Sequence, residues 1–89
     1  MLFEFDTAKS SLNIARHGVP LLLAAELDWH DALAWVDDRF DYGEVRLTAL
    51  VPKALTLYCV SFVDRNDVRR IISLRKATRR EAEHYVESI

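Results

Sequence analysis

The hydrophobic and polar positions of this chain change period several times, and each change marks an element. Residues 2–5 alternate weakly and run into Asp6, a good helix N-cap, so a short strand leading directly into a helix over Thr7–His17 is predicted. At about 100° per residue, Ala8, Leu12 and Ala15 share one face of that helix, while Lys9, Asn13, Arg16 and His17 form a polar stripe. Gly18 supplies the left-handed residue that ends it. Pro20 then opens a second helix over residues 21–28. Its Leu-Leu-Leu-Ala-Ala-Glu-Leu run is apolar nearly all round, which predicts burial on more than one side.

After an irregular connection at Trp29-His30-Asp31, the period shortens to two. Residues 32–36 form a short strand carrying Trp35, and residues 37–43 a polar turn region. Over residues 44–51, Val45, Leu47, Ala49 and Val51 alternate with Arg46, Thr48 and Leu50; Pro52-Lys53 marks a hairpin turn. Residues 55–63 are apolar on both faces, as in a central strand. A turn at residues 64–67 leads into a strand with Ile71, Ile72 and Leu74 at its centre. Thr78-Arg79-Arg80-Glu81 has the form of a capping box, opening a last helix over residues 79–88 that buries Ala82, Tyr85, Val86 and Ile89. The predicted order is β-α-α-β-β-β-β-α: an α+β fold, one domain over residues 1–89, with a mainly antiparallel sheet packed on two N-terminal helices.

Charge changes this picture. The net charge is −2, yet residues 1–44 hold three Lys/Arg against nine Asp/Glu, and residues 45–89 nine against five. From Arg65 to Arg80, seven cations (Arg65, Arg69, Arg70, Arg75, Lys76, Arg79 and Arg80) face one anion, Asp67. Such a patch suits a polyanionic or acidic partner. The plainer reading is a solvated basic face salt-bridged to the acidic half. The single cysteine, Cys59, excludes a disulfide framework and suits a reducing compartment. No apolar run reaches the roughly 20 residues of a membrane span and the N-terminus lacks signal-peptide character, so a cytoplasmic chain with no membrane partner is expected.

Strand parity suggests where chemistry could sit. If Leu47, Ala49, Val51, Ile72 and Leu74 face the helices, Arg46, Thr48, Ser73 and Arg75 face away, and the open face carries guanidinium groups from two strands. These could hold an RNA phosphate bidentately and stabilise a developing phosphorane. His17 is the candidate acid or base, with Lys9, Asn13 and Arg16 beside it, although a histidine in a last helical turn also has a helix-dipole explanation. The aspartates around residues 28–41 lack metal-site spacing and read as turn residues, so no metal is assigned. Two glycines exclude nucleotide-cradling loops. Tyr42, Tyr58 and Tyr85 could stack a base or donate a proton.

Three linked stretches now point to a family. F-E-F-D-x-x-K-x-x-x-N-x-x-R-H-G-V from Phe3, Y-G-E-x-R from Tyr42, and R-I-I-S-L-R-K-A-T-R-R-E-x-x-x-Y from Arg70 resemble the BrnT toxins of bacterial type II toxin–antitoxin systems over almost the whole chain. The resemblance implies a RelE-like fold and a metal-independent, cofactor-free endoribonuclease that stops translation. It also implies neutralisation by a BrnA-like antitoxin, two toxins with two antitoxins, with operator DNA bound only through the antitoxin. The motif positions carry over to Lys9, His17, Arg46, Arg65, Arg70, Arg75, Lys76, Arg79 and Arg80. Together with the charge and parity reading, they make His17, Lys9, Arg46, Arg75 and Arg79 the expected catalytic set, and Arg65, Arg69, Arg70, Lys76 and Arg80 the expected RNA-phosphate contacts. The chain departs from the family pattern at Phe62, where many relatives have Tyr, at Val68, where Arg is common, and at Pro20-Leu21-Leu22. The alternative is a degenerate toxin: a non-catalytic module that docks an antitoxin or acidic partner in a DNA-bound repressor complex.

Overall fold

A computed structural model describes residues 1–89, and all five strands join one mixed sheet. In chain order the elements are β1 (Leu2–Glu4), α1 (Thr7–His17), two 3-10 segments (Leu21–Glu26 and Trp29–Asp31), β2 (Leu33–Asp37), β3 (Arg46–Lys53), β4 (Thr56–Arg65), β5 (Val68–Lys76) and α2 (Arg79–Ser88). The sheet order is β1-β5-β4-β3-β2, with β4 central and only the β1–β5 pair parallel. The capping signals act as their chemistry dictates: Asp6 accepts from the Lys9 backbone N–H, Gly18 takes φ 76°, and Thr78 and Glu81 form a complete capping box.

The second helix of the sequence reading is a 3-10 segment instead. It begins after Pro20 and ends at Leu27, which has extended backbone, so it never gains the length an α-helix needs. Its burial is as expected: Leu21, Ala24 and Leu27 form the core with Ala49, Val51, Val60, Phe62, Ile71 and Leu74. Trp29 closes one side, edge-on to Phe62 at 5.2 Å, with its indole N–H donating to the Ala24 carbonyl. The hairpin turn falls at Ala54-Leu55, two residues later than Pro52-Lys53, which remain in β3. On α2, Val86 and Ile89 are exposed rather than buried.

Two further departures from the sequence pattern shape the site. α1 turns a polar face inward: Ser10 and Asn13 are its buried residues, while Ala8, Leu12 and Ala15 are exposed. It lies against β5 beyond the short stretch that β1 occupies, and there it meets backbone rather than side chains. Asn13 donates to the Leu74 carbonyl at 2.7 Å and accepts from the Leu74 N–H at 3.1 Å, as a neighbouring strand would. In addition, Ser61 pairs with Ser73 but Phe62 with Ile71, so Ile72 is the extra residue of a β-bulge. The bulge resets parity, placing both Ile71 and Leu74 in the core. Ile72, expected to face the helices, lines the opposite side.

Candidate active site

The face of the sheet away from the core holds two adjoining clefts, each of about 410 Å3. The first lies between α1 and the segment joining β2 to β3. Lys9, Arg16 and His17 line it from α1, Arg46 from β3, Ser61 and Ser73 from the sheet floor, and Asp37, Arg39 and Tyr42 from the far wall. The second shares Asp37, Arg39, Ser61 and Ser73 with the first and extends to Thr48, Cys59, Arg75 and Glu81. Strand alternation explains the floor: Arg46 and Thr48 project opposite to Leu47 and Ala49, and Ser61 opposite to Val60 and Phe62.

Ion pairing divides the cations into two groups. Five of the seven arginines and lysines between Arg65 and Arg80 are engaged by carboxylates: Arg65 by Glu44, Arg69 by Asp64, Arg70 by Glu4, Arg75 by Glu81 and Arg79 by Glu83. Arg69 is built into the structure more deeply, with its guanidinium over the rings of Trp29 and Phe62 on the core side of the sheet. Most of the basic stretch is thus salt-bridged, but only Arg65 and Arg70 pair with the acidic half; the partners of Arg69, Arg75 and Arg79 come from the same half of the chain. Lys76 and Arg80 are exposed and line neither cleft, nor do Arg65, Arg70 or Arg79. The structure therefore brings together Lys9, His17 and Arg46 of the expected set, sets Arg75 in the adjoining cleft, and leaves the others outside.

Arg46 differs from all of these. Its guanidinium lies 3.9 Å from the Tyr42 ring centroid, its Nε is buried without a hydrogen-bond partner, and it makes no ion pair. A cation–π contact of this kind holds the group in place without consuming its donors. Across from it, the buried Asp37 carboxylate takes both Arg39 Nε and Nη2 at 2.9 Å and the Tyr42 hydroxyl at 3.1 Å. Those donors, the Arg39 side chain foremost, hold its pKa well below the usual carboxylate range. Sequence reasoning passed over Asp37 and Arg39 as turn residues. The signal available was an acid and a base two residues apart at a strand end, opposite an arginine.

In the second cleft, Arg75 donates to Glu81 at 2.7 and 3.0 Å, and this pairing lowers Glu81 to a pKa of about 2. Burial pushes the Cys59 thiol up to about 11, leaving it a poor nucleophile. No three His, Cys, Asp or Glu side chains cluster as metal ligands, and no helix is long and apolar enough to cross a membrane. Phe62 is buried on the face opposite the clefts, so a tyrosine there would not line them.

The first cleft of this small α+β protein is thus lined by Lys9, Arg16, His17 and Arg46, a set with the charge to hold a phosphate ester. The sequence model for the ribonuclease toxin BrnT of type II toxin–antitoxin systems matches residues 5–81, and the chain belongs to that family. A search of curated proteins finds no match. Membership makes it a ribonuclease toxin with an antitoxin partner and an RNA substrate.

Proposed function

We propose that this chain cleaves RNA in the first cleft without a metal, by attack of a 2′-hydroxyl on the adjacent phosphate. The 2′-oxygen–phosphorus bond forms and the bond to the 5′-oxygen breaks, leaving a 2′,3′-cyclic phosphate. His17 takes the proton from the 2′-hydroxyl; the departing 5′-oxygen takes one from water. Arg46 holds the phosphate and stabilises the charge that builds on its oxygens. Lys9 and His17 are eight residues apart, about 12 Å along the helix axis, so Lys9 serves a neighbouring phosphate rather than the one being cleaved. Arg16 extends the track for the RNA backbone, while Arg75, in the second cleft, stays paired with Glu81. Arg79 carries no catalytic part in this reading, and Arg65, Arg69, Arg70, Lys76 and Arg80 act outside the cleft or not at all.

The observation that carries the reading is Arg46: a guanidinium without an acceptor, held over Tyr42 in the same cleft as His17. A RelE-like arrangement and a BrnA-like antitoxin, two with two, acting on operator DNA through the antitoxin, complete the proposal on the strength of the family resemblance. The test is cleavage of RNA by the purified chain in EDTA. Arg46→Ala and His17→Ala are each expected to lower kcat by about 10²-fold or more at unchanged fold. Wild-type rates in both variants, or loss of cleavage on chelation, would overturn it.

A further inference from the structure

Asp37 and Arg46 are direct cross-strand partners between β2 and β3. Opposite charges so placed ordinarily pair, since their Cβ atoms stand only about 5 Å apart. Here they do not. A carboxylate offers about four lone-pair sites, and those of Asp37 are filled from elsewhere. Oδ1 accepts from the Arg39 backbone N–H at 3.3 Å and from Arg39 Nε at 2.9 Å. Oδ2 accepts from Arg39 Nη2 at 2.9 Å and from the Tyr42 hydroxyl at 3.1 Å. Tyr42 links the two sides, because the same residue whose hydroxyl holds Asp37 offers its ring to Arg46.

The geometry points to Arg39 as a positioning residue that keeps Asp37 occupied and so leaves Arg46 free for phosphate. The inference rests on the proposed role of Arg46. Its chemistry is a competition: the buried carboxylate of Asp37 needs a cation, and without the Arg39 side chain the adjacent one is Arg46. An arginine neutralised bidentately by a carboxylate presents its donors to that carboxylate, not to RNA. Arg39 is itself mostly exposed, with 71% of its side chain open to solvent, so its removal leaves packing largely intact.

The experiment is a set of double-mutant cycles read by affinity for a 2′-O-methyl RNA oligonucleotide, which cannot be cleaved, with cleavage of unmodified RNA measured in parallel. Arg39→Ala is expected to weaken binding about tenfold in the wild-type background, and less than about threefold in Asp37→Asn, whose side chain no longer captures Arg46. Arg46→Ala is expected to cost about tenfold in the wild type and in Asp37→Asn, yet little in Arg39→Ala, where Arg46 is already consumed. A merely stabilising Arg39–Asp37 pair would not make the cost of losing Arg46 depend on Arg39. Arg39→Gln, longer and neutral, repeats the test should the alanine variant fold poorly. Equal losses from Arg39→Ala in both backgrounds would mean that Arg39 contacts RNA directly and would overturn the inference. Tight binding with the expected cycles but no cleavage would refute the ribonuclease mechanism alone, and a wild type that does not bind the oligonucleotide would refute both.

Discussion

Glu81 shows how one carboxylate can serve two structures. Its Oε1 accepts from the Thr78 backbone N–H at 2.8 Å, completing the cap of α2, and its two oxygens together hold Arg75. Both roles need the charged form, which is why its pKa falls from 4.5 to about 2. A carboxyl depressed on folding stabilises the native state above its unfolded pKa and loses that contribution as pH falls through the folded one. Thermal unfolding of the wild type should therefore exceed that of Glu81→Gln at pH 6 by about 1–2 kcal/mol, the figure being discounted for partial exposure. The gap should close between pH 4.5 and about 2. Asp37 is depressed for a similar reason, but it is common to both proteins and cancels in the comparison. A difference that persists unchanged to pH 2 would show that the pair contributes packing rather than charge.

At the scale of elements, α1 is the instructive case, because its amphipathic pattern was legible and its direction was not. Hydrophobic periodicity assumes that a helix buries its apolar stripe, and here Asn13 points inward because the helix abuts a sheet edge, and Ser10 because its hydroxyl accepts from the Leu21 N–H of the first 3-10 segment. What that edge requires is a donor and an acceptor, which the Asn13 amide provides. Asn13→Leu leaves the Leu74 N–H and carbonyl unsatisfied in a buried position and should cost about 3 kcal/mol in urea unfolding. A loss below about 1 kcal/mol would mean that water replaces the amide. The strands themselves, β4 as the central one, and all three caps were readable from local rules, because turn residues and alternation act over a few positions. The bulge at Ile72 was not, since nothing in an Ile-Ile pair says which member will be skipped; it resets the parity from which the open face was inferred.

For the whole molecule, the question is how a chain of net charge −2 binds a polyanion. The run from Arg65 to Arg80 was legible both as a cationic patch and as a salt-bridged face, but which carboxylates would pair was not: Glu4 and Glu44 lie far away in sequence, Asp64 reaches Arg69 only through the β4–β5 pairing, and Glu81 meets Arg75 from the following helix. Folding thus removes most of the apparent charge of that stretch and leaves Lys9, Arg16 and Arg46, which make no ion pair, in the first cleft. The candidate site was legible to the extent that Lys9, His17 and Arg46 lie in that cleft, while Asp37 and Arg39, whose importance is a matter of who pairs with whom, were not. The salt dependence of binding distinguishes the two pictures. Counterion release on a single strand gives a slope in log K against log[salt] of about −0.7 per phosphate contact. Three uncommitted cations in the cleft predict a slope near −2, whereas a fully available basic stretch acting with them would approach −7. Affinity of the 2′-O-methyl oligonucleotide, titrated from low to high salt at constant pH, should follow the shallower line, and Arg46→Ala should flatten it by a further ~0.7. A slope steeper than about −4 would mean that RNA pulls arginines such as Arg75 and Arg70 out of their ion pairs, and that the binding surface extends well beyond the cleft.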